Sequence, residues 1–235
     1  MIPVSAPVRV RARLHTAPDG PVPVVHRGRD AVYVEVAGHC VGVVGRRATA
    51  VPCALRAAVD RVPEPATAVM RDGVLHLDDT ALGVGRLVDV QVPRIRATAS
   101  SPAAPPGDVA AMVGRGDGLT PYDDDVLCGW LAVHRAARVA TPAVDAEVRA
   151  HLDRTTLLSA TLLECAMAGE VIPEFAAFVA ALGSPAEPAR EAALAALGHT
   201  SGRGLLRGAR AALAHLRPDL SPDLSPDPSP EGAAG

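Results

Sequence analysis

Ala99-Ser100-Ser101-Pro102-Ala103-Ala104-Pro105-Pro106-Gly107 divides this chain in two. Three prolines and a glycine in nine residues remove backbone donors and fix φ, so the stretch can hold neither a helix nor a central strand. Before it, β-branched residues alternate with polar ones. After it, Ala and Leu recur at helical spacing. Strands gathered ahead of helices predict an α+β fold. The expected layout is a β-rich domain over 1–98, barrel or sandwich-like, then a Pro/Ser linker over 99–107. An α-helical bundle follows over 108–216, and a disordered Pro/Ser/Asp tail over 217–235.

Working towards the N-terminus, Leu87–Val92, Ala81–Gly85 and Arg71–Leu77 read as short strands at close spacing. Val51–Val59 reads as a short helix or a turn. Asp30–Val44 is rich in valine with a turn near Gly38, the pattern of a hairpin. Val8–Leu14 alternates apolar and charged residues, which predicts a strand with one face in water. Towards the C-terminus, six helices are expected: Leu127–Val139, Ala143–His151, Thr155–Gly169, Glu174–Leu182, Pro188–Leu197 and Gly204–Leu216.

Composition excludes several chemistries. The 235 residues contain no Lys, no Asn and a single Gln (Gln91), so all 23 basic residues are Arg. Schiff-base and P-loop lysines are therefore absent, as is a Cys-His-Asn triad. Any anion must be held by Arg, His, hydroxyls, backbone N–H groups or a metal. Cys40, Cys53, Cys128 and Cys165 form no C-x-x-C pair, and the last two sit in helical patterns as buried thiols. Aromatics make up 2% and the net charge is -3, which argues against nucleic-acid binding. No apolar run is long enough to span a membrane, and Met1–Pro7 lacks the look of a secretory signal, so a cytoplasmic location is expected.

Three loops, each just ahead of a helix, could carry chemistry, because free N–H groups and the helix dipole favour an anion there. The first is Gly114-Arg115-Gly116-Asp117-Gly118-Leu119-Thr120-Pro121-Tyr122-Asp123-Asp124-Asp125. Helix capping explains one or two of its acids. Four acids within nine residues repel, and a divalent cation, a cationic ligand group or an arginine would relieve that repulsion. The second, Asp153–Thr161, pairs Thr155 with Thr156 ahead of an apolar run, which is ordinary capping chemistry. In the third, Gly198-His199-Thr200-Ser201-Gly202-Arg203, Thr200 or Ser201 could cap the next helix. A small-anion cradle of His199, both hydroxyls and Arg203 is an equal alternative. The other histidines have no metal-ligand spacing.

In this order the loops resemble the AllH-type family, the third subunit of oxamate carbamoyltransferase. That family's pattern runs roughly G-x-G-P-G-L-T-P-S-G-D-D-F-L, then T-T-x-x-S-A-x-L-L, then G-H-[ST]-S-G-x-D-x-L. Gly116, Gly118, Leu119, Thr120, Pro121, Asp124, Asp125 and Leu127 fit the first segment. Thr155, Thr156, Ser159, Ala160, Leu162 and Leu163 fit the second, and Gly198, His199, Thr200, Ser201, Gly202 and Leu205 the third. The departures are Asp117 for a proline, Tyr122-Asp123 for Ser-Gly, and Gly204 for the closing aspartate; they make this a divergent member.

The resemblance implies carbamoyl-transfer chemistry on a small planar anion of oxalurate, oxamate or carbamoyl phosphate type, in company with two other subunits. A homo-oligomer is also expected. Asp124, Asp125 and His199 are the expected catalytic residues. Gly116, Gly118, Thr120, Asp123, Thr155, Thr156, Ser159, Thr200, Ser201 and Arg203 are the expected substrate contacts. Asp124 and Asp125 would orient a nitrogen nucleophile or hold a divalent metal, Mg or Mn. His199 would act as general acid or base. Two alternatives come from other classes: a non-catalytic subunit that binds a small anion, and a metal-dependent hydrolase built on the acid cluster.

Overall fold

The computed structural model describes residues 1–62, 64–97 and 104–216, with the backbone of 218–219. Its first half runs β1 (Ile2–Pro7), α1 (Val8–Thr16), β2 (Gly20–Pro21), β3 (Val24–Arg27), β4 (Ala31–Val36), β5 (His39–Val44), β6 (Ala54–Ala57), β7 (Ala68–Arg71), β8 (Val74–Leu77), β9 (Thr80–Val88) and β10 (Arg96–Ala97). Strands β1 to β9 form one mixed sheet in the order β2-β7-β8-β9-β1-β6-β5-β4-β3. It curls into a half-barrel. The β4–β5 hairpin turns on Ala37 and Gly38, both with positive φ, as its sequence predicts.

Two readings of this half are corrected. Val8–Leu14 is helical, because the alternation also contains an i, i+4 pair: Val10 and Leu14 bury against the sheet while Val8 stays exposed. The strand expected there lies just upstream as β1, parallel to β9 on one side and antiparallel to β6 on the other. Its prolines, Pro3 and Pro7, disguise a central strand. Within 51–59, Ala54–Ala57 is strand, since pairing with both β1 and β5 overrides the helical preference of alanine.

The second half runs α2 (Val109–Met112), α3 (Tyr122–Ala136), α4 (Pro142–Ala150), α5 (Leu157–Met167), α6 (Pro173–Ala180), α7 (Glu187–Ala195) and α8 (Ser201–His215), then β11 (Pro218–Asp219). All six expected helices are present; α3 and α8 begin earlier than periodicity suggested. Helix α3 is the axis of this half, with Leu127, Trp130 and Leu131 fully buried among Phe175, Phe178 and Leu194. Each such side chain contributes roughly 1.5–3 kcal/mol on burial. Most of the expected linker and tail lies outside the described residues. The backbone of Pro218–Asp219 pairs with β10.

The halves are joined by backbone as well as side chains. Val92 N–H donates to Gly169 at 2.7 Å, and Val171 N–H to Val90 at 2.8 Å. Helix α5 lies against β5, where the Cys40 N–H donates to the Thr161 hydroxyl at 2.9 Å. Cys40, Cys53, Cys165 and Leu158 form a small buried cluster there. Burial pushes these thiols up, Cys40 to about 12, so they stay protonated and inert.

Candidate functional site

The first loop is shaped by glycines that no other residue could replace. Gly114 has φ 79°, and a Cβ there would lie 2.3 Å from the Arg154 carbonyl oxygen. Gly116 has φ 126°, and its Cβ would lie 2.6 Å from the Tyr122 nitrogen. The loop therefore folds back tightly on the start of α3 and on the turn ahead of α5. Residues 115–119 remain exposed. Among the described residues, the backbone N–H groups of Gly116, Asp117, Gly118 and Leu119 have no protein acceptor.

The three carboxylates that open α3 are buried, and each has its own surroundings. Asp123 pairs with Arg115, so an arginine relieves that charge. Asp124, at 0% exposure, accepts the Gly114 N–H at 2.8 Å on Oδ1. Its Oδ2 accepts the hydroxyls of Thr155 at 2.5 Å and Ser159 at 2.7 Å. Asp124 thus ties the first loop to the second. Asp125 differs: burial pushes its carboxyl up to about 7, the Asp124 charge adds to this, and the Ser201 and Thr120 hydroxyls draw it back. Its Oδ2 is buried without a hydrogen-bond donor.

The remaining ties complete the convergence. Thr156 caps α5, accepting the Ser159 N–H at 3.0 Å, and donates its own proton to the Leu119 carbonyl at 2.6 Å. Thr120 and Ser201 share a hydrogen bond at 2.8 Å, linking the first loop to the third. Neither hydroxyl of the third loop caps α8: Thr200 is the N-cap residue, but its side chain makes no capping bond. Arg203 is exposed and donates to the His199 carbonyl at 2.8 Å. His199 is exposed, and its imidazole makes no hydrogen bond among the described residues. Gly118, with φ 89°, has open space around it.

Loops 40 and 80 residues apart in sequence therefore meet at the N-terminal ends of α3, α5 and α8. The arrangement offers N–H groups, hydroxyls and guanidinium groups towards solvent and keeps the three carboxylates that open α3 inside, with Asp117 the one exposed acid of the first loop. It does not suit a divalent ion. Asp124 already accepts three protein donors, and no group of three or more His, Cys, Asp or Glu side chains is placed to hold a metal among the described residues. Sequence reading missed Glu170, which follows α5 and lines a cavity with Asp125 and Cys128. It stands in no motif, so spacing carried no signal for it.

Residues 112–213 match the model of the family described as oxamate carbamoyltransferase subunit AllH. This segment is similar to the AllH family. The AllH match spans all three loops and the helices that carry them, from α2 to the last turn of α8. No curated protein and no solved structure matches the chain. Among the described residues, no helix is long and apolar enough to cross a membrane.

Two of the departures from the family's pattern, Tyr122 and Gly204, fall together in space. A Cβ on Gly204 would lie 2.8 Å from the Asp125 Cβ and 3.0 Å from the Tyr122 carbonyl. Tyr122 and Gly204 are thus neighbours across the α3–α8 contact, a large residue opposite one with no side chain. An aspartate at 204 would crowd Tyr122 and add a carboxylate beside Asp125.

Proposed function

We propose that this chain is a subunit of a carbamoyl-transferring enzyme, and that its three-loop surface receives the anionic end of a small planar substrate of oxalurate, oxamate or carbamoyl phosphate type. The observation that carries this reading is the paired tie between loops, Asp124 to Thr155 and Ser159, and Thr120 to Ser201. These ties fix three helix N-termini around one patch, and each brings partial positive charge. The free N–H groups of 116–119, the Thr200 hydroxyl, Arg203 and Arg115 supply donors where negative charge would gather on a transferring carbonyl or phosphoryl oxygen. Asp124 acts here as a positioning residue. His199 stands at the rim as the acid or base. The two other subunits of the complex are the expected partners.

A second reading is that the chain binds the anion without transforming it. It is favoured by the lack of an orienting partner on His199 and the full engagement of Asp124, which leave no assembled acid–base pair within this chain.

Calorimetric titration of the full chain with oxamate and with inorganic phosphate tests the site. Ser201→Ala, which breaks the tie to Thr120, is expected to weaken binding about tenfold; unchanged binding would overturn the anion surface. His199→Ala then separates the readings in the reconstituted complex. A loss of turnover of about 10²-fold or more with KM little changed supports an acid–base role, and unaltered turnover assigns the chain to binding alone.

A further inference from the structure

Behind the loop surface lies a cavity of about 50 Å³, lined by Asp125, Cys128, Ala166, Glu170, Phe175 and Leu205 among others. Its walls are largely apolar, yet two carboxylates reach it, and both are more than nine-tenths buried. Glu170 is balanced by Arg9, whose Nε lies 3.0 Å from Oε2. Asp125 has no such cation, and its Oδ2 is left without a donor. A buried acceptor in that state costs about 1–3 kcal/mol unless something supplies a proton to it. The cavity residues include no Arg or His. Burial also keeps the Cys128 thiol protonated, since its pKa is raised well above the usual value. The polar demand of this space is therefore one-sided: it wants N–H or O–H donors and rejects anions.

We propose that this cavity is a binding site for a small nitrogen donor, an ammonium ion or the –NH2 end of a primary amide, held by Asp125 and Glu170. The size suits a ligand of a few heavy atoms, well above the room needed for one water. An ionised Asp125 would gain the hydrogen bond it lacks, and the apolar walls would strengthen that bond by excluding competing water. Asp125 also meets the Ser201 and Thr120 hydroxyls, so one side chain would connect the donor site to the loop surface. This assignment goes beyond the anion reading and stands without it.

The test is thermal unfolding of the full chain at pH 8 and constant ionic strength, with ammonium chloride, tetramethylammonium chloride or sodium chloride, and separately with acetamide. Ammonium or acetamide is expected to raise the midpoint by about 2 °C or more at saturating concentration, and tetramethylammonium, which has no N–H, to match sodium. A rise with ammonium alone identifies a cation site, and a rise with acetamide an amide site. Asp125→Asn, which keeps the shape, and Ala166→Val, which fills the space, should each abolish the rise. No rise with either probe, or a rise retained in both variants, would overturn the proposal. Neither result bears on the anion titrations above.

Discussion

Replacing Asp124 by alanine would leave the Gly114 N–H and the Thr155 and Ser159 hydroxyls without their shared acceptor. Hydrogen bonds to a charged group contribute roughly 1.5–3 kcal/mol each, so Asp124→Ala should destabilise the chain by about 3 kcal/mol or more. Urea unfolding measures this, and a variant as stable as the parent would show that the loops hold together by other means. Asp125 has the opposite sign. Its folded carboxyl, raised to about 7 from an unfolded value near 3.8, binds its proton more tightly in the native state. Its contribution is fully favourable below about pH 4 and is lost as pH rises to about 7, a span of about 4 kcal/mol. Asp125→Asn should therefore stabilise the protein at pH 8, with the gain shrinking towards pH 4. Parallel stability profiles for parent and variant would contradict the burial argument. At this scale the sequence disclosed which residues meet: the glycines, hydroxyls and acids of three motifs do converge. It could not disclose that adjacent aspartates take different roles, because those depend on donors from distant loops, Thr155 and Ser159 for Asp124 and Ser201 for Asp125.

Helices α3 and α8 approach through glycine. A Cβ at Gly129 would lie 2.0 Å from the Leu205 carbonyl oxygen, and one at Gly208 would lie 1.9 Å from that of Val126. This contact sets the separation between the Asp125 and Ser201 ends of the two helices. Gly208→Ala should force them apart and loosen the Thr120–Ser201 tie, weakening oxamate binding several-fold although residue 208 lies two turns from the loop. Binding at parental strength in a folded Gly208→Ala protein would show that the loops, and not the helix contact, fix the spacing. Helix periodicity was legible for α3 to α8 because Ala and Leu recur on buried faces. It failed for α1, where three arginines placed every second residue imitate a strand, and only packing of Val10 and Leu14 reveals the helical face.

Across the whole molecule, the separation into strands and helices could be read from composition, whereas the joint between them could not. The sheet order depends on pairings between distant segments, such as β1 with β9, that no local pattern encodes. The joint itself, Val90–Val92 against Gly169–Val171 with Thr161 bonded to Cys40, has a practical meaning. The segment that matches the family model, 112–213, leaves out the strands on which α5 rests. Excised at those boundaries, α5 would lose its floor: apolar thiol-bearing surface would face water, and the strand-like edge at 169–171 would be open to pair with other molecules. The N-terminal sheet thus backs the inner wall of the helical half, and changes made deep within it should be felt at the three-loop surface.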